Sequence, residues 1–175
     1  MDLSELRSCL SRFGTGVTVV SMQAGDEVHA LTVNSFTSVS LQPPLILVSI
    51  NRRTRGHDLL AGSPFAVNVL GSEQEAIARH FAGRRHAGLD VDWVTGLVAP
   101  RLANPLAFFE CRPWQAYDGG DHSIYVGHVV NFARREGPAL GFFAGGFVTL
   151  QEPPPDERPF PYDVFELPYD AYEQA

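Results

Sequence analysis

The alternation of apolar and polar positions predicts mostly β-structure with a few short helices. An amphipathic helix is predicted over 3–13, and further helical patterns occur over 54–61 and 72–81. Strand-like runs, separated by Gly or Pro, occupy 17–22, 28–39, 45–50, 65–70, 91–98, 106–117, 122–133 and 140–150. Because strands outnumber helices and do not alternate with them, the pattern favours a barrel or sandwich over a doubly wound parallel sheet.

The C-terminal segment differs in composition from the rest of the chain. Residues 151–175 hold six prolines and seven acidic side chains against Arg158 alone, and they carry −6 of the net charge of −7. The segment nevertheless keeps aromatic residues such as Phe160 and Tyr162, which purely disordered tails usually lack. We therefore predict a domain over 1–150 and an acidic, proline- and aromatic-rich C-terminal arm over 151–175. The arm is either a flexible tail or an extension that lies on a neighbouring subunit or partner.

Composition and charge narrow the function classes. The first 150 residues are nearly neutral, so no nucleic-acid partner is expected. No apolar run approaches the roughly 18 residues of a membrane span, and the N-terminal residues lack the pattern of a signal peptide. Two distant cysteines indicate no disulfide framework, and the histidines show no metal-ligand spacing, so we expect a cytoplasmic protein without a metal.

Two segments combine polar side chains with predicted strands. Residues 30–40 carry hydroxyl and amide side chains on both faces, which indicates either a binding strand or a half-exposed strand of high β-propensity. Residues 49–55 join a strand to a helix and contain three of the chain's thirteen basic residues, all of which are Arg. This turn suits an anion or is simply a solvated basic turn.

A third segment places a histidine directly after a flexible turn. His122 follows Gly119, Gly120 and Asp121 at the predicted start of a strand, and histidine is readily tuned for chemistry near neutral pH. His128 lies about 20 Å further along that strand, too far to share a metal ion. The glycine fingerprint of a Rossmann site is absent, so any nucleotide must bind outside such a site.

Taken together, the segments resemble a known family. They are FGTGVTVV at 13–20, LTVNSFTSVSLQPPL at 31–45, FAVNVL at 65–70, HFAGR at 80–84 and GDHSIYVG at 120–127. Their order and spacing resemble the flavin reductase-like family, which includes reductase components of two-component flavin-dependent monooxygenases. The resemblance implies a mainly β, Greek-key split barrel of the FMN-binding type with a few peripheral helices.

The resemblance also implies a set of site residues. The flavin would lie along Thr32, Val33, Asn34, Ser35, Phe36 and Thr37, with contacts made largely through backbone groups. Its phosphate would lie near Ser49, Asn51, Arg53 and Thr54. Phe81 and Arg84 match a loop that closes over the flavin. His122 matches the histidine beside the stacked flavin and nicotinamide, and is the expected catalytic residue.

The implied activity is hydride transfer from NADH or NADPH to FMN or FAD by a homodimer, which supplies reduced flavin to a partner monooxygenase. The alternative is a flavin- or heme-binding split-barrel protein without reductase activity, acting as a carrier or sensor. The residues leave the choice between the two flavins, and between the two nicotinamides, open.

Overall fold

Strands dominate the computed structural model, which describes residues 1–84 and 86–154. The helices are α1 (Leu3–Leu10), α2 (Arg55–Leu60) and α3 (Glu75–Phe81), the last preceded by a 3-10 turn over Ser72–Gln74. The strands are β1 (Thr15–Gly16), β2 (Thr18–Ala24), β3 (Glu27–Val33), β4 (Thr37–Leu41), β5 (Pro44–Asn51), β6 (Phe65–Val69), β7 (Trp93–Val94), β8 (Arg101–Leu102), β9 (Ala107–Gly119), β10 (His122–Arg134), β11 (Ala139–Phe143) and β12 (Gly146–Leu150). The arm from residue 155 onward lies outside the described residues, and the predicted boundary at residue 150 stays a prediction.

The main sheet has seven antiparallel strands in the order β3-β2-β6-β9-β10-β5-β4. A three-stranded sheet, β1-β11-β12, and a ribbon of β7 and β8 complete the β-structure of the described chain. Since β3 also approaches β5 without ladder pairing between them, the main sheet curves into a barrel that stays open along one seam. The prediction of a mainly β split barrel with a few peripheral helices is confirmed.

Two apolar clusters hold these layers together. The first fills the curved sheet with side chains such as Met22, Val48 and Phe65, all at most 2% exposed. The second, which includes Val17 and Leu140, packs the main sheet against the smaller sheet and α3. Removal of this apolar surface from water is the main stabilising contribution.

Three strand predictions are corrected by the structure. The run 28–39 is two strands, because the chain leaves the ladder between Val33 and Thr37 and continues on the opposite side of the barrel seam. The run 140–150 is a hairpin that turns at Ala144 and Gly145, both with positive φ. Of the run 91–98 only Trp93–Val94 is a strand. Each run has a suitable composition, but hydropathy alone does not reveal where an extended chain changes its partner.

The β9–β10 hairpin positions the third predicted segment. Its two strands have 13 residues each, and the turn between them uses Gly120 at φ +78°, a conformation that glycine adopts without steric cost. Because β10 pairs with β5 in a register that sets His122 opposite Asn51, the hairpin tip lies beside the basic turn. Among the described residues, no helix has the length and apolarity needed to cross a membrane.

Candidate functional site

A surface cavity of about 390 Å³ opens where the three predicted segments meet. It is lined by Leu31, Thr32, Val33, Asn34, Ser35, Ser49, Asn51, Thr54, Gly119 and His122. Eight of the thirteen residues predicted for the site therefore surround one cavity. Pairing of β5 with β10 and the contact of Ser35 with Ser49 bring these distant segments together.

Several polar side chains at the cavity are occupied by internal hydrogen bonds. The Thr32 hydroxyl donates to the backbone oxygen of Ala78 in α3 at 2.8 Å. The Thr54 hydroxyl donates to the backbone oxygen of Asn51 at 2.8 Å, and the side-chain oxygen of Asn51 accepts from the Arg53 N–H at 2.9 Å. These groups shape the cavity wall and the strand-end turn, which leaves fewer side chains to hold a ligand.

Backbone N–H groups provide hydrogen-bond donors near the cavity that the occupied side chains cannot. The N–H groups of Asn34, Ser35 and Phe36 lie outside any strand and make no hydrogen bond within the described part of the chain. Unpaired backbone donors are rare in folded proteins unless water or a ligand satisfies them. Asn34 and Ser35 line the cavity, so this stretch offers donors to a ligand that carries carbonyl or ring-nitrogen acceptors.

His122 lies at the hairpin tip, with its side chain 37% exposed. Its Nδ1 is 2.7 Å from the Asp121 carboxylate, and this hydrogen bond is the main reason that the pKa of Asp121 lies below its ordinary value. Asp121 thus stays ionised at neutral pH, and its carboxylate is neutralised as pH falls through that lowered pKa. When the Nδ1 proton is directed at Asp121, Nε2 of the neutral imidazole carries the lone pair. No described residue bonds to Nε2, and His122 lines the cavity.

Arg52 joins the hairpin tip to the basic turn. Its Nη2 is 2.8 Å from the Asp118 carboxylate, and its Nε donates to the His122 backbone oxygen at 3.2 Å. The Arg52 N–H also donates to the Asp121 backbone oxygen at 3.0 Å. Sequence reasoning recognised Arg52 only as one member of a basic cluster, because its partners are far away along the chain.

Two further arginines belong to the basic turn that follows β5. Arg53 is exposed and helps to lower the pKa of Asp121, so its charge lies near the hairpin tip. Arg55 is the first residue of α2. Burial of His29 is the main reason that the pKa of His29 is lowered, and the positive charge of Arg55 is the second reason. With the Asn51 amide nitrogen, these two cations give the strand-end turn a chemistry that suits an anion.

An apolar cleft of about 190 Å³ continues from the other end of the cavity. The two share Thr32, Val33 and Asn34. Val17, Ala82, Phe142 and Phe147 line the rest of the cleft. Sequence reasoning missed these four residues, since they come from separate elements and carry no local signal of binding. The combined site therefore has a cationic end, a row of backbone donors and an apolar end.

The family model for the flavin reductase like domain matches residues 10–151. The chain belongs to the flavin reductase-like family. The resemblance inferred from the sequence is confirmed, and the protein is an oxidoreductase that reduces flavin.

Individual relatives agree with this assignment. The chain is 43% identical over 164 residues to an NADH-dependent FAD reductase of Streptomyces globisporus. The aligned region covers 89% of this chain and 90% of the relative. It is 40% identical over 143 residues to an FMN reductase (NADH) of Agrobacterium fabrum, covering 81% of this chain and 82% of the relative. The solved structure of the styrene monooxygenase flavin reductase from Pseudomonas putida matches with a TM-score of 0.79 and 32% identity, covering 85% of this chain and 99% of the other.

Five residues predicted for the flavin reductase site lie away from the cavity wall. The Phe36 ring stacks on the Phe109 ring, with 5.4 Å between the ring centroids, and packs against the first apolar cluster. Thr37 is exposed in β4. Phe81 packs in the second apolar cluster, with Trp93 at 5.9 Å. The other two, Arg53 and Arg84, are exposed. A role for any of these five in flavin binding stays a prediction.

Proposed function

We propose that the cavity binds the isoalloxazine, ribityl and phosphate parts of FMN or FAD, and that NADH reduces the flavin there. The observation that carries the proposal is the convergence of residues 31–35, residues 49–54 and His122 on one cavity. This family reduces flavin, and two of the segments through which the sequence resembles the family, 31–45 and 120–127, contribute to the cavity wall.

The chemistry of the wall suits the parts of a flavin. The phosphate is attracted to Arg53 and Arg55 at the cationic end. The pyrimidine carbonyls and ring nitrogens accept hydrogen bonds from the backbone donors at 34–36. The dimethylbenzene ring packs in the apolar cleft beside Phe142 and Phe147. FMN and FAD share all three parts, so both fit this arrangement.

The flavin accepts a hydride from the dihydronicotinamide, and one proton from solvent completes the reduced flavin. The contribution of the protein is to hold the two rings in contact and to limit the access of water. His122 lies at the cavity edge with Nε2 free of any partner among the described residues. We assign it to orienting the nicotinamide against the flavin.

We further propose that the reduced flavin passes to a partner monooxygenase. The name of the styrene monooxygenase flavin reductase links that protein to a monooxygenase, which supports this step. Nearly the whole of that reductase chain aligns with this chain. A cytoplasmic location is proposed with it, because the cytoplasm supplies both NADH and a reducing environment.

A homodimer is proposed from the exposed outer half of β9. Beyond Cys111, β9 pairs only with β10 among the described strands, and all residues from Arg112 to Gly119 are exposed. Trp114 and Tyr117 on this segment are 53% and 55% exposed. An open strand edge with large aromatic side chains invites association. Light scattering should give a dimer for the wild type and a monomer for Trp114→Glu/Tyr117→Glu, whereas Leu97→Glu, at an exposed site outside β9, should stay dimeric.

Steady-state assays with all four pairs of NADH or NADPH and FMN or FAD test the activity. We expect NADH oxidation with both flavins and slower oxidation of NADPH, in keeping with the NADH-dependent relatives. No oxidation with any pair would contradict the proposal. A protein that binds flavin tightly and ignores both nicotinamides would instead support the carrier or sensor, which the family membership disfavours.

A further inference from the structure

Ser35 makes an unusual contact at the break between β3 and β4. Its hydroxyl donates to the backbone oxygen of Ser49 at 2.9 Å and accepts from the Ser49 N–H at 3.0 Å. A hydroxyl has one donor and two acceptor lone pairs, so a single side chain satisfies both backbone groups of Ser49. Ser35 is also among the residues that the family resemblance places along the flavin.

The strand register shows what this contact replaces. β4 and β5 pair Thr37 with Leu47 and Ser38 with Ile46, and the same register continued outward sets Ser35 opposite Ser49. In an antiparallel ladder such a pair exchanges two backbone hydrogen bonds. Here the Ser35 side chain takes the place of its own backbone, so Ser49 is satisfied although the strand has ended.

The consequence is that the backbone of Ser35 is released from the sheet. Its N–H, like those of Asn34 and Phe36, has no hydrogen-bond partner within residues 1–84 and 86–154. Asn34 and Ser35 also line the cavity, so the released groups lie at its wall. Without the hydroxyl bridge, regular pairing with Ser49 would draw the Ser35 N–H and C=O back into the ladder.

We propose that Ser35 is a positioning residue, whose hydroxyl substitutes for a backbone pair with Ser49 and thereby keeps the 34–36 backbone donors available to the flavin. The inference rests on the proposed flavin site. It gives Ser35 an indirect role: its side chain binds the protein, and its backbone is available to the ligand.

The test compares Ser35→Ala and Ser35→Thr with the wild type and with Ser38→Ala, a matched control on exposed β4 without a side-chain hydrogen bond in the described chain. Ser35→Ala should raise the flavin KM and the Kd from fluorescence quenching by about tenfold, the scale expected for the loss of one or two hydrogen bonds. The kcat at saturating flavin should change little. Ser35→Thr retains the hydroxyl and should behave as the wild type.

Hydrogen exchange in the flavin-free protein separates positioning from direct contact. The amide of residue 35 should exchange fast in the wild type and in Ser35→Thr, because it has no partner in the sheet, and should become protected in Ser35→Ala, where it pairs with the Ser49 oxygen. Fast exchange of the residue 35 amide in Ser35→Ala, an unchanged flavin Kd, or a Ser35→Thr variant as impaired as Ser35→Ala would overturn the inference. Failure of the wild type to reduce any flavin would refute the proposed function instead, and the exchange result does not depend on it.

Discussion

At the scale of single residues, the site separates groups that face a ligand from groups that hold the wall. Thr32 and Ser35 both line the cavity, yet their hydroxyls bond to Ala78 and Ser49 of the protein. His122 differs, because its Nδ1 is held by Asp121 while its Nε2 stays available. Residue type and sequence position do not distinguish these roles, since the difference lies in which atom is already bonded.

The first prediction concerns His122. His122→Ala should lower kcat by about tenfold or more, because the nicotinamide loses a group that orients it, on the scale of other positioned catalytic side chains. The flavin Kd should change much less, since the backbone donors at 34–36 and the arginines of the basic turn remain. Stopped-flow hydride transfer and flavin titration measure the two effects, with His128→Ala as a control on the same strand. An unchanged rate would remove His122 from the mechanism.

The second prediction concerns the two thiols. Burial, and secondly the neighbouring Glu110, raise the pKa of Cys111 to about 12, while Cys9 is exposed on α1. Because the thiolate is the reactive form, Cys111 stays protonated and inert at mildly alkaline pH. A disulfide reagent should label one thiol per native chain and two after denaturation, and Cys9→Ser should abolish the native reaction. Labelling of Cys111 in the native protein would show that this part of the core opens.

At the scale of elements, the β9–β10 hairpin depends on a bulge. The register shifts between Val126 and Gly127, and Gly127 packs directly against the core. A Cβ at this position would lie 2.6 Å from Phe65 Cζ and 2.8 Å from Cys111 Cβ. The bulge therefore sets the direction of the strand that carries His122 to the cavity. The close contacts at residue 127 leave room only for glycine.

The third prediction follows from this packing. Gly127→Ala should lower the free energy of unfolding by about 1–3 kcal/mol, the usual cost of overpacking a core. Denaturant unfolding monitored by tryptophan fluorescence measures the loss. Gly146→Ala is the matched control, because the nearest atom to a Cβ there is 3.8 Å away. Equal stability of the two variants would show that the hairpin shifts to accommodate the methyl group.

At the scale of the whole molecule, charge is distributed unevenly between the barrel and the arm. Residues 1–150 carry about −1, whereas 151–175 carry −6. The family model ends at residue 151, so the features of the family do not account for the arm. An acidic segment with aromatic side chains is suited to a partner rather than to the flavin, whose phosphate it would repel.

The fourth prediction concerns deletion of residues 155–175. The truncated protein should reduce free flavin at the wild-type rate, because the cavity is built from residues 31–122. Transfer of reduced flavin to a partner monooxygenase should become less efficient, as measured by coupled product formation. Substitution of the arm acids by Asn and Gln distinguishes a charge effect from a length effect. A loss of dimerisation on light scattering would instead make the arm a structural element.

The sequence by itself determined the β-rich class, most strand positions and the three segments of the site, because hydropathy period, turn residues and motif order are local properties. Only the tertiary structure decided that 28–39 divides into two strands at the barrel seam and that 140–150 folds back as a hairpin. It also decided which polar atoms remain free, as Ser35 illustrates, and it brought Phe142 and Phe147 to the apolar cleft that adjoins the cavity. These features arise from contacts between residues far apart in the chain, and local patterns carry no information about which distant backbone group a side chain will meet.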